Sequence, residues 1–184
     1  HNSDVDGFID NLKYHYPEFN FANKTSFVIG CGGASRAVIY GLIKNGVKEI
    51  FITNRSELRA QNLIADFQKF AQKNNCKITF LAKTEFEKNL NNCQLLINTT
   101  SLGMKGQEPL NFDITNLNQE AYVYDIVYKP LMTKLLLQAQ KQNNKIITGI
   151  GMLVFQALIG FELWFKKKPN KEFIGELLET LNNK

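Results

Sequence analysis

The sequence predicts an α/β fold, a doubly wound parallel sheet of about six strands with flanking N- and C-terminal helices. Three observations carry this reading. Short β-rich runs alternate with segments of helical spacing along most of the chain. A glycine-rich turn stands where the first run ends and a helix begins. The composition is globular, with 184 residues, 44% of them hydrophobic and 21% charged.

The expected elements run in order. A helix over residues 5–14 precedes the first strand, at 25–29, and a helix over 34–45 follows the glycine turn. A second strand at 49–53 leads into a long helix over 56–74, where Leu58, Leu63, Phe67 and Phe70 are placed on one broad face. Ser56 is its expected N-cap, with Arg59 instead of an acid at the capping-box position, so the box itself is absent. Further strands are expected at 77–81, 94–98, 122–126 and 145–148, with a helix over 131–143 between the last two. Two helices close the chain, over 152–165 and 171–181, separated by a break at residues 166–168 and Pro169. Strand–helix alternation of this kind implies right-handed crossovers with helices on both faces of the sheet.

Composition excludes several classes. The formal net charge is +5, which fits either a solvated lysine-rich surface or attraction for an anionic ligand. No basic run is interleaved with aromatics, which argues against nucleic acid. Cys31, Cys76 and Cys93 form no CxxC pair, and an odd number argues against a disulfide framework. With His1 and His15 as the only histidines, no metal site is expected. A reducing, cytoplasmic setting follows as the expectation. The most apolar stretch, 152–165, contains Gln156, Gly160 and Glu162 and falls short of the roughly 20 residues that span a bilayer, so no membrane is expected. The chain opens without a secretory signal and without Met, which reads as a fragment of a longer product.

The glycine turn is Gly30-Cys31-Gly32-Gly33-Ala34-Ser35. Gly30 can make the tight turn, Gly32 lets the backbone approach a pyrophosphate, and Gly33 and Ala34 keep the helix start small. Exposed N–H groups at a helix start favour an anion there. A plain glycine loop is the alternative, weakened by the strand before and the helix after. Asn54 stands 24 residues beyond Gly30, near the place where an NAD site puts an acid on the ribose. Here the residues are Asn54, Arg55 and Ser56, with Arg59 a turn later. Arginine pairs with phosphate oxygens, so the pattern favours NADP, the alternative being a surface arginine.

Together with later segments, these residues resemble the shikimate dehydrogenase family. Asn54-Arg55-Ser56 is similar to the family's segment for the adenosine 2′-phosphate. Asn98-Thr99-Thr100-Ser101-Leu102-Gly103-Met104 resembles its loop beside the cofactor. Val123-Tyr124-Asp125-Ile126-Val127-Tyr128-Lys129-Pro130 and Gly149-Ile150-Gly151-Met152-Leu153-Val154-Phe155-Gln156-Ala157 resemble two more of its signatures, and these are the most specific. The resemblance implies a Rossmann-like NADP-binding domain and reversible, NADP-dependent reduction of 3-dehydroshikimate to shikimate, in aromatic amino-acid biosynthesis. It implies cofactor contacts from Asn98, Thr99, Thr100, Ser101, Ile126, Gly149 and Met152, and substrate contacts from Tyr128 and Gln156. It also matches Asn2-Ser3-Asp4 to a family segment whose Asp binds substrate and works with a lysine at the hydroxyl being oxidised.

Tyr128 and Gln156 carry donors and acceptors suited to a polyhydroxylated acid, though a turn residue and a polar position on a packed helix remain alternatives. Asp4 could cap the first helix. The family's Asn-x-Thr-x-Pro-x-Lys segment has no counterpart. The resemblance therefore implies that only the family's C-terminal, NADP-binding part is present, with the N-terminal substrate domain absent. Residues 1–18 are then an interdomain helix and the end of the missing domain, 19–148 the NADP-binding domain, and 149–184 closing helices that line the cleft. A chain of that kind is expected to bind cofactor without turnover. The implied partners are shikimate and 3-dehydroshikimate, in a monomer or homodimer. A quinate/shikimate enzyme of broader choice and a non-catalytic NADPH-binding module stay open as alternatives.

Overall fold

The computed structural model describes residues 2–167 and 169–182. His1, Lys168 (part of the expected break before Pro169), Asn183 and Lys184 lie outside it. The elements are α1 (Ser3–His15), β1 (Thr25–Ile29), α2 (Gly33–Lys44), β2 (Glu49–Thr53), α3 (Glu57–Lys73), β3 (Lys77–Phe80) and α4 (Lys83–Lys88). A 3-10 turn at Leu90–Asn92 follows, then β4 (Leu95–Asn98), β5 (Tyr122–Asp125), α5 (Lys134–Lys141), β6 (Lys145–Ile147), α6 (Gly149–Phe165) and α7 (Lys171–Asn182).

The strands form one six-stranded sheet in the order β3-β2-β1-β4-β5-β6, every neighbouring pair parallel. This is the doubly wound, Rossmann-like order, and β1 sits inside it, where the topology reverses. Alternation along each strand divides the core between the two faces. On one face Val28, Ile52, Ile97 and Tyr124 pack with Phe8 and Leu12 of α1, Val38 and Leu42 of α2, Leu63 of α3 and Met152 of α6. On the other, Phe27, Ile29, Leu96 and Val123 pack with Phe86 of α4 and Leu135, Leu136 and Ala139 of α5.

Local chemistry sets the helix starts. Asn2 caps α1 by accepting from the Asp4 amide at 3.0 Å, so Asp4 lies in the first turn and is not the cap. Ser56 caps α3 through the Arg59 amide, as expected. Thr133 caps α5 by accepting from the Leu136 amide, which starts that helix three residues later than its spacing implies. Leu58 does not join the buried face of α3 and is 71% exposed. It stands five positions before Leu63, about 140° around the helix, whereas Phe67 and Phe70 fall within about 40° of Leu63.

Helix α1 seats the closing helix. The Asn11 side-chain amide donates to the Tyr124 hydroxyl at 2.6 Å and to the Thr148 carbonyl at 3.0 Å, binding α1 to β5 and to the start of α6. A methyl at Gly7 would lie 2.7 Å from the Gln156 side chain and 2.9 Å from the Met152 carbonyl, so α1 and α6 are in backbone contact there.

Candidate cofactor cleft and its neighbourhood

The strand register aligns Thr53, Ile29, Asn98 and Asp125 as one row across the carboxyl ends of β2, β1, β4 and β5. Each chain leaving that row is tied to its neighbour. The Gly30 amide donates to the Thr53 carbonyl at 2.8 Å, and the Ile126 amide donates to the Asn98 carbonyl at 3.1 Å. The Thr99 amide and hydroxyl both donate to the Ile29 carbonyl, at 2.9 and 2.7 Å.

Above the row lies a cleft of about 590 Å³. It is bordered by the turn at Gly30, Cys31 and Gly32, by Thr53, Asn54, Arg55 and Arg59 after β2, by Lys83, by Thr99 to Leu102 after β4, and by Phe112. Gly30 has φ +106°, and a methyl there would lie 2.7 Å from Thr100 Cγ2 and 2.9 Å from Thr99 Oγ1. Both the backbone angle and the neighbours therefore require glycine. Gly32 and Gly33 differ: nothing lies within 4 Å of where their Cβ would stand, so the backbone faces open space at the start of α2. Arg55 and Arg59 are exposed, and neither guanidinium makes an ion pair with a described residue. No carboxylate lines the cleft among the described residues.

The loop after β4 is held from beneath. Asn98 is fully buried; its side-chain oxygen accepts from the Thr100 amide and hydroxyl at 3.0 and 2.8 Å. Its amide nitrogen donates to Asp125 Oδ1 at 2.9 Å. Asp125 also accepts from the Val127 amide at 3.0 Å and the Thr133 hydroxyl at 2.7 Å. Burial pushes the Asp125 carboxyl above its ordinary value, against the hydrogen bonds from Thr133, Val127 and Asn98 that pull it down. The carboxylate thus joins the ends of β4 and β5 to the cap of α5.

The structure gathers most of the residues that the sequence singles out. Gly30, Cys31, Gly32, Asn54, Arg55, Arg59, Thr99, Thr100 and Ser101 line one cleft. Ser56 caps α3, its carbonyl accepting from the Asn54 amide at 2.8 Å. Ser35 is buried, and its hydroxyl donates to the Gly32 carbonyl at 2.6 Å, so it shapes the turn without lining the cleft. Burial pushes the Cys31 thiol up to about 11 with Arg36 opposing, which makes it a small wall residue and not a nucleophile.

Ile126 and Gly149 meet beyond Asp125, where any side chain on Gly149 would strike the Ile126 carbonyl, and Met152 is buried one turn on. Asp4, Tyr128 and Gln156 do not line the cleft. Gln156 lies against Gly7, one turn from Asp4, and Tyr128 is 47% exposed after β5. Sequence reasoning missed Lys83 and Phe112. No motif marks them; Lys83 lines the cleft from the first position of α4 and Phe112 from the segment between β4 and β5.

Among the described residues no helix is long and apolar enough to cross a membrane, and no group of three His, Cys, Asp or Glu side chains could hold a metal.

A family model described as shikimate / quinate 5-dehydrogenase matches residues 15–105, and one described as the shikimate 5′-dehydrogenase C-terminal domain matches residues 149–178. These matches correct the expectation that only the C-terminal part of the family is represented. The C-terminal-domain model accounts for 149–178 alone, and the family's main model matches separately over the segment that carries the glycine turn. Shikimate dehydrogenases (NADP(+)) of Paramagnetospirillum magneticum and Afipia carboxidovorans are 42% and 43% identical over 168 residues, 91% of this chain and 58% of theirs. The chain therefore spans less than two thirds of the length of the curated relatives it matches.

Among solved structures, quinate dehydrogenase from Corynebacterium glutamicum in complex with NAD aligns with a TM-score of 0.85 at 27% identity, over 98% of this chain and 62% of that one. Shikimate 5-dehydrogenase from Thermus thermophilus in complex with NADP(H) and shikimate aligns at 0.79 and 26%, over 98% and 62%. Sequence and fold resemble those of shikimate and quinate dehydrogenases along nearly the whole of the described structure.

Proposed function

We propose that this chain binds NADP in the cleft at the carboxyl ends of β1, β2 and β4, and serves the reversible reduction of 3-dehydroshikimate to shikimate. The observation that carries the reading is the cleft itself. It has open backbone at Gly32 and Gly33, two unpaired arginines after β2, and no lining carboxylate. A ribose-reading acid would repel a 2′-phosphate, and Asn54 stands in that place.

The residues fit the cofactor. The amides at the start of α2 receive the pyrophosphate, and Arg55 and Arg59 pair with the 2′-phosphate, with Ser56 fixing the turn between them. Asn98 holds Thr99, Thr100 and Ser101 against the cofactor's middle. Ile126, Gly149 and Met152, which lie beyond Asp125 at the end of β5 and the start of α6, would stand nearest the nicotinamide. The bound cofactor supplies the hydride acceptor. Asp4, Tyr128 and Gln156 take the polyhydroxylated acid, with Asp4 accepting from the hydroxyl that is oxidised and Tyr128 and Gln156 orienting the ring.

The test is reduction of NADP+ and NAD+ by shikimate and by quinate, catalysed by the chain within a protein of its relatives' full length and followed by absorbance of the reduced cofactor. Shikimate with NADP+ is the expected best pair. A tenfold or greater preference for NAD+ would overturn the cofactor reading, and quinate used in place of shikimate would overturn the substrate reading.

A further inference from the structure

Resting on the dinucleotide reading of the cleft, we propose that Lys83 is a third cation for the 2′-phosphate and a determinant of the choice between NADP and NAD. It lies outside the segment that carries Arg55 and Arg59. Strand β3 pairs with β2, and the Leu81 amide donates to the Ile52 carbonyl at 2.9 Å. The two chains therefore leave the sheet side by side. Lys83 comes two residues after that bond on one chain and Arg55 three residues after it on the other, and both line the cleft.

The helix does not account for a lysine here. A cation at the first position of α4 opposes the positive end of the peptide dipoles. Its i,i+4 partner Glu87 is C-terminal to it, which is the weaker order for such a pair. The surroundings instead hold the ammonium at the cleft wall. Lys83 Nζ stands 3.6 Å from Glu87 Oε1 and 5.2 Å from the centre of the Phe112 ring, and Phe112 itself lines the cleft. Glu87 is in turn fixed by the Asp113 amide, which donates to Oε1 at 2.9 Å. Lys83 is thus tethered to the 112–113 segment while its side chain stays 52% exposed, open to an incoming anion. Lys83 adds a cation to Arg55 and Arg59 in a cleft with no lining carboxylate, its charge shared with Glu87 behind it.

The experiment measures binding by calorimetry for four probes: NADPH, NADH, adenosine 2′,5′-bisphosphate and adenosine 5′-monophosphate. The wild-type chain is compared with Lys83→Gln and Lys83→Arg. Lys83→Gln is expected to weaken the two 2′-phosphorylated probes about tenfold and the other two less than about twofold, with a shallower salt dependence for NADPH. Lys83→Arg keeps the charge and is expected to retain most of the affinity. Equal losses for all four probes, or no loss for any while the wild type still prefers NADPH, would overturn the role of Lys83 and leave the cleft reading standing. A wild type that binds none of the probes, or prefers NADH, would overturn the cleft reading and Lys83 with it.

Discussion

Replacing Gly30 and Gly32 in turn by alanine separates what the glycine turn does for the fold from what it does for a ligand. At Gly30 the backbone has φ +106°, where a side chain is strained by about 1–3 kcal/mol. The new methyl would stand 2.7 Å from Thr100 Cγ2 and 2.9 Å from Thr99 Oγ1. Neither neighbour retreats freely, since Thr99 is bonded to the Ile29 carbonyl and Thr100 to Asn98. Overpacking of this kind adds about 1–3 kcal/mol. Gly30→Ala should therefore lose about 2–6 kcal/mol, a large part of a domain's usual margin of about 5–15 kcal/mol.

Gly32 has φ −92° and no atom within 4 Å of a Cβ, so alanine fits the backbone there and should change stability by less than about 1 kcal/mol. Its methyl would instead occupy the approach of the pyrophosphate and weaken NADPH at least about tenfold. Urea unfolding and NADPH calorimetry on both variants read the two effects. An unshifted midpoint for Gly30→Ala would refute the strain reasoning, and wild-type NADPH affinity in Gly32→Ala would refute the cradle.

Other outcomes follow from buried contacts. Asp125→Ala leaves Asn98, Thr133 and Val127 without their acceptor and should destabilise by at least about 3 kcal/mol in chemical unfolding; a loss below about 1 kcal/mol would contradict the network. Because burial raises the Asp125 carboxyl, the folded chain holds that proton more tightly than the unfolded chain. Wild type should then gain stability relative to Asp125→Asn as the pH falls from about 7 toward about 4, and a constant gap would count against the raised value. Gly7→Ala drives a methyl into Gln156 and the Met152 carbonyl and should lose about 1–3 kcal/mol in thermal unfolding, where an unchanged midpoint would mean α1 and α6 are not in backbone contact. Cys31, pushed up to about 11, should react with iodoacetamide at about pH 8 far more slowly than a free thiol; rapid labelling would contradict its burial.

The strands were legible because short β-branched and apolar runs bounded by polar turns have few other uses, and β1 and β2 run over the residues the sequence indicates. Helix starts were less so. The spacing starts the closing helix at residue 152, yet α6 begins at Gly149; glycine stands at its first positions because a side chain at Gly149 would strike the Ile126 carbonyl and one at Gly151 would strike Asn11. Helix α4 is six residues long, too short for a periodic signal, and is anchored by Phe86 alone among its buried side chains. The cleft divides in the same way. The glycine turn and Arg55 announce themselves, because each sits at a fixed offset from a strand end. Lys83 and Phe112 carry no local signal, and pairing of β3 with β2 is what brings Lys83 into place. Asp125 reads as part of a signature, but its hold on Asn98 and Thr133 depends on a register between β4 and β5 that no local pattern states.

Recognition of a 2′-phosphate by the cleft is tested most directly by the affinity of wild type and Arg55→Ala for NADPH and NADH under one buffer. Losing a charge-assisted hydrogen bond removes about 1.5–3 kcal/mol. NADPH should therefore weaken about tenfold to a hundredfold while NADH changes little. Equal losses for the two cofactors, or a wild type that does not distinguish them, would contradict the account.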